Sequence, residues 1–139
     1  MRVWRYIPCF AILLVIYNVL MLIPVTSAGF KANLSVIQIP MMSQPQPVLL
    51  TVSEVFALLG IICLYFEVLK ATRTSRDTLI DHVLSVGVLM ACVIEFIVVP
   101  GAATSSFLIL TILSLVDVIT GFTVTFATSR RDINIGDRE

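Results

Sequence analysis

Charge is what this chain has least of. Asp, Glu, Lys and Arg make up 13% of its 139 residues, about half the share usual in soluble globular domains. Histidine and tryptophan occur once each and cysteine three times. Cys9, Cys63 and Cys92 are single and scattered, and no Cys-x-x-Cys is present, so a disulfide relay or a thiolate metal site has no framework. Buried, inert thiols are expected instead. His82 follows Asp81 at the start of an apolar run and reads as an interfacial histidine beside a carboxylate; a haem could use it only by pairing subunits or partners. No phosphate-binding loop, metal cluster or nucleophile–base arrangement is present. The expectation is therefore a protein that is not an enzyme, with no cofactor, no metal and no nucleic-acid partner.

What fills the chain is apolar. Hydrophobic residues make up 58% of it, and the mean hydropathy is +1.04. A helix needs about 20 predominantly apolar residues, at ~1.5 Å each, to cross a ~30 Å hydrocarbon core. Four segments meet that length: 6–25, 48–69, 79–99 and 106–128. Their apolar runs are continuous rather than alternating, and a lone helix satisfies its own backbone in lipid, so helices are expected rather than a barrel. The predicted fold is all-α, a single domain of four antiparallel transmembrane helices with no soluble domain.

Orientation follows from the basic residues. Arg2 and Arg5 precede the first span, Lys70, Arg73 and Arg76 separate the second from the third, and Arg130, Arg131 and Arg138 follow the fourth. Lys31 alone lies on the other side. The positive-inside rule makes the crowded side cytoplasmic, with both termini on it, and the expected location is a bacterial inner membrane. The first segment has two readings. Its basic start, apolar run and small residues up to Ala28 loosely match a cleaved signal peptide. Its apolar stretch exceeds the ~7–15 residues of such a region, which favours a retained helix. Pro24 is expected to end or kink it, and Trp4 and Tyr6 sit where interfacial aromatics belong.

The stretch 27–47 is the one sizeable loop, broken by Gly29, Pro40, Pro45 and Pro47 and almost uncharged. Its aliphatics (Leu34, Val36, Ile37, Ile39, Met41 and Met42) point to an interfacial position or a cap on the bundle. Asn33-Leu34-Ser35 matches the glycosylation triplet.

The polar residues inside the spans are the candidate site. Asn18, Glu54, Glu95 and Asp117 are expected between the membrane centre and ~10 Å outward of it, with no Lys or Arg at that depth. At ~100° per residue, Asp81, Ser85, Val88, Cys92 and Glu95 form one stripe on the third helix, and Ser114, Asp117, Thr120, Gly121 and Thr128 form one on the fourth. These stripes should face protein. Ser53, Gly60 and Glu67 share a face of the second helix, with Glu67 paired to Lys70 at the inner interface. Gly60, Ser85, Gly87, Ala91, Ser114, Thr120 and Gly121 are the candidate helix-packing positions, with Gly87 and Ala91 a small-xxx-small pair.

Three roles stand open for the acids: interhelical hydrogen-bonding groups that fix packing, a proton or small-cation site, or acids that meet a basic residue on a partner subunit. The first and third make the chain an accessory or structural subunit of a homo-oligomer or larger membrane complex. The second makes it a small proton- or cation-linked transporter or channel.

Overall fold

A computed structural model of the chain describes residues 8–40, 42, 46–72 and 77–136, without the side chains of 77–79 and 128–136. Arg2, Trp4, Arg5, Tyr6, Met41, Pro45, Arg73, Arg76 and Arg138, and the side chains of Thr128, Arg130 and Arg131, lie outside the described residues.

Proline punctuates the helices. Helix α1 (Cys9–Leu22) stops at Ile23, and α2 (Pro24–Ala32) begins with proline at its first position. A proline ring disfavours helical geometry in the residue before it, and Ile23 is extended at φ −89°, ψ 118°. The same device recurs at Val99, extended before Pro100. There α4 (Asp77–Val98) passes through a 3-10 turn, Pro100–Ala102, to α5 (Ser105–Gly136). Between α1 and α2 the break is severe, a bend of 108°. The first predicted span thus ends early. At 14 residues, α1 is about 21 Å long, well short of a ~30 Å core.

The loop expected over 27–47 is largely ordered. Gly29 lies inside α2, and Asn33 closes that helix in the left-handed conformation at φ 48°. Strands β1 (Ser35–Ile39) and β2 (Val48–Thr51) follow as an antiparallel hairpin, pairing Ile37 with Leu50 and Ile39 with Val48. The β-branched and aliphatic residues that looked like loop ballast suit a pleated surface, and Pro40 and Pro47 lie just beyond the paired strands. The second span consequently starts at Val52, since 48–51 belongs to β2. Helix α3 (Val52–Ala71) opens with a capping box in which the Glu54 carboxylate accepts from the Thr51 N–H (2.6 Å) and hydroxyl (2.9 Å). The Asn33 side-chain oxygen accepts from the N–H (3.1 Å) and hydroxyl (2.6 Å) of Ser53. The amide of the glycosylation triplet is thereby engaged in tying α2 to α3.

Among the described residues, three helical segments are long and apolar enough to cross a membrane: Val52–Ala71, Ile80–Val98 and Ser105–Ala127. A fourth span exists if the bent α1–α2 pair counts as one. Helix α5 packs most extensively on α3, then on α4. Gly60 permits the first of these approaches, because a Cβ there would collide with the Leu113 side chain. At the end of the bundle where α2 folds over, Tyr17, Phe30, Phe56 and Phe107 form an aromatic core, with Tyr17 at 4.8–5.9 Å centroid distance from the other three. The Tyr17 hydroxyl shares a 2.6 Å hydrogen bond with Thr104 and reaches the Gly101 carbonyl at 3.3 Å. Phe30 on α2 completes this core, so the predicted cap on the bundle is made by α2 rather than by irregular chain.

Candidate functional site

At the opposite end, residues one helical turn apart bring charge into the bundle. Helix α3 contributes Glu67, Lys70 and Ala71; α4 contributes Asp81, His82 and Ser85; α5 contributes Asp117 and Gly121. Together they line a cavity of about 10 Å³, the room that roughly one water needs. Glu67, His82, Ser85 and Asp117 are all buried, at 5–7% exposure.

Each helix is held there by a polar contact. Glu67 Oε1 accepts the Cys9 N–H at 2.5 Å, giving one of the unpaired donors at the start of α1 an acidic cap. Lys70 Nζ lies 3.8 Å from Glu67 Oε2 and 3.2 Å from Asp81 Oδ1, bridging α3 to α4. Ser85 on α4 and Asp117 on α5 face the same cavity. His82 Nε2 lies 2.6 Å from Thr125 Oγ1, and its ring stacks on Phe122 at 5.1 Å. Gly121 makes room for that ring: a Cβ there would sit 2.8 Å from His82 Cε1 and 3.0 Å from Nδ1. Glu67 and Asp81 thus share one lysine, and Asp117 lines the same cavity. Among the described residues, no group of three or more His, Cys, Asp and Glu is placed to hold a metal ion.

The four acids and amides singled out in the sequence go to three places. Asn18 Nδ2 donates to Glu95 Oε2 at 3.1 Å, a half-buried pair joining α1 to α4. Asp117 sits in the polar centre. Glu54 is exposed in its capping box, thirteen residues and so about 20 Å along α3 from Glu67. Glu54 shares no contact with Glu95 or Asp117, because Thr51 engages it at the helix end. Among the packing candidates, Gly60 lies against α5, and Ser85 and Gly121 belong to the polar centre. Ser114 is 1% exposed, and its hydroxyl has no hydrogen-bond partner among the described residues. Thr120 is half-buried, while Gly87 and Ala91 face outward with nothing within 4 Å of Gly87. The small-xxx-small pair is therefore not a contact within this chain.

Glu67, Lys70, Asp81, His82 and Thr125 were missing from the candidate site. Their signal was present in part. The face of Ser53, Gly60 and Glu67 is buried throughout, and Asp81 belongs to the polar stripe of α4. Near the helix ends such residues read as interfacial, and only packing shows that the ends close over them. Cys9 and Cys63 are neighbours on α1 and α3, and all three thiols are free. No protein-family model, curated protein or solved structure matches this chain.

Proposed function

We propose that this chain is a non-enzymatic accessory or structural subunit of a homo-oligomer or larger complex in a bacterial inner membrane. Helices α3, α4 and α5 cross in antiparallel fashion, α1 makes a fourth, short crossing that ends at the α2 bend, both termini are cytoplasmic, and lipid and protein are the partners. The observation that carries this reading is the closure of the polar centre. Its groups contact one another across four helices and leave space for about one water, too little for a larger solute to lodge among them. The contacts Cys9–Glu67, Lys70–Asp81 and His82–Thr125 gather alternate helix ends at one level, which supports the antiparallel arrangement. Gly87 and Ala91, outward and unmatched by any helix of this chain, are where another transmembrane helix could approach most closely.

The test is cross-linking in native membranes from Ala91→Cys, with Cys9, Cys63 and Cys92 replaced by alanine. Discrete adducts of fixed size are expected, and they should vanish with Gly87→Leu. A variant that stays monomeric at every cross-linker length would remove the subunit reading.

One observation favours a second reading, a small proton- or cation-linked transporter or channel. Three carboxylates, a histidine and one lysine line the same small cavity, and intramembrane acids in such settings often mark proton paths. Proton flux into vesicles reconstituted with purified protein tests it. Flux abolished by Asp117→Asn and retained in Glu54→Gln would favour transport, whereas no flux above empty vesicles would discard it.

A further inference from the structure

Between Pro24 and Thr51 the one charged side chain is Lys31, where an ordinary water-facing segment would be about a quarter charged. The segment is nonetheless exposed. Strand register puts Ile37, Ile39, Val48 and Leu50 on one face of the hairpin, and the first three are 43–44% exposed. A lone two-stranded hairpin is marginal in water and needs a surface for its apolar face. Among the described residues, no helix covers Ile37, Ile39 and Val48.

Helix α2 has the same character. Val25 is 83% exposed, as is Leu22 just before the break at 82%. Its hydroxyls are spent inward: Thr26 Oγ1 donates to the carbonyls of Leu20 and Ile23, and Ser27 Oγ donates to that of Pro24 at 2.9 Å. Carbonyls freed at a helix break need such partners where water is scarce. The 108° bend completes the geometry. Where α1 runs along the membrane normal, α2 runs close to the membrane plane, and its outer surface continues the apolar surface of α1, on which Val15 and Val19 are exposed.

We infer that α2 and the β-hairpin form an interfacial platform, seated in the headgroup–acyl boundary of the leaflet remote from Lys70. Val25 and the Ile37 face of the hairpin enter the acyl region. Lys31 extends its ammonium to the lipid phosphates, as amphipathic side chains do at this depth. The occupant of this surface is lipid rather than protein because its apolar area is continuous with that of the spanning helices and its single charge suits the headgroup layer. The inference rests on the membrane-spanning reading of α3–α5 and is independent of the choice between subunit and transporter.

Single-tryptophan quenching tests it in the full chain, with Trp4→Phe as background and reporters Ile37→Trp, Val25→Trp and Gln38→Trp. The probes are phosphatidylcholine vesicles brominated near the headgroup end or near the tail end of the acyl chains, and aqueous iodide. Ile37→Trp and Val25→Trp should lose emission most to shallow bromines and least to iodide. Gln38→Trp, on the other hairpin face, should be the more open to iodide. Strong iodide quenching of Ile37→Trp and Val25→Trp without bromine quenching would put the platform in water and overturn the inference. Shielding of both from bromine and iodide alike would overturn it in favour of a protein cover, either a second copy or another subunit. Ile94→Trp, on the exposed side of α4, separates the two levels of failure. If deep bromines quench Ile94→Trp, a negative result at the hairpin counts against the platform alone; if they do not, the spanning reading fails and the platform fails with it.

Discussion

The two ends of this bundle are held together by opposite means. At one end Tyr17, Phe30, Phe56 and Phe107 interlock as rings, and the polar contacts among them are uncharged: Tyr17 with Thr104, and Ser53 with Asn33 and Ser106. At the other end Glu67, Lys70, Asp81, His82 and Asp117 share one small cavity. Ring packing is forgiving, since apolar groups of similar volume can substitute with little loss. A buried charge network is not, because removal of one member strands the others. The polar end therefore specifies which helix faces meet, while the aromatic end supplies burial and carries the platform.

That contrast can be broken in a graded way. The largest effect is expected for Lys70→Met, which leaves Glu67 and Asp81 without their shared cation. Breaking a buried pair costs about 3–5 kcal/mol, and the 24% exposure of Lys70 places this one toward the lower bound. Thermal unfolding in detergent reads it, and Lys70→Met with Glu67→Gln and Asp81→Asn should recover much of the loss.

Gly121→Ala comes next. It forces a methyl onto a His82 ring held from both sides, at roughly 1–3 kcal/mol for overpacking. Gly87→Ala, with open space around it, should instead stabilise α4 by about 0.5–1 kcal/mol, and the opposite signs in one unfolding assay separate packed from open glycine. At the aromatic end Tyr17→Phe should cost about 1 kcal/mol, the typical net worth of a hydrogen bond. Asn18→Leu, which leaves Glu95 without its amide partner, should cost least, about 0.6 kcal/mol as for other interhelical hydrogen bonds in membranes. Were Tyr17→Phe to exceed Lys70→Met, the assignment of specificity to the polar end would be wrong.

Much of the architecture was readable from composition and periodicity. The apolar runs behind α3, α4 and α5, the proline that ends α1, and the inward stripes through Ser85 and Cys92 and through Ser114 and Asp117 all follow from residue order. The β-hairpin did not, because six aliphatic residues in a proline-rich stretch carry no period long enough to separate strand from loop. The candidate site was half legible. Asn18 and Glu95 were paired only by depth, and they do bond. Glu54 falls with them because an acid at the seventh position of an apolar run resembles an intramembrane acid, although Thr51 three residues before it is equally the start of a capping box.

Composition already carries the class of fold, since this little charge and this much apolar length make helices long and apolar enough to cross a membrane. The sequence by itself also determined which side of each helix is polar, because helical periodicity is a local property. Only the tertiary structure decided which polar sides meet. Contacts such as Cys9–Glu67 and His82–Thr125 span 58 and 43 residues, and no local rule links positions so far apart. The 108° turn of α2 was decided there too: proline dictates that a helix must break, while the packing of Phe30 on Tyr17 and Phe56 settles where the chain goes next.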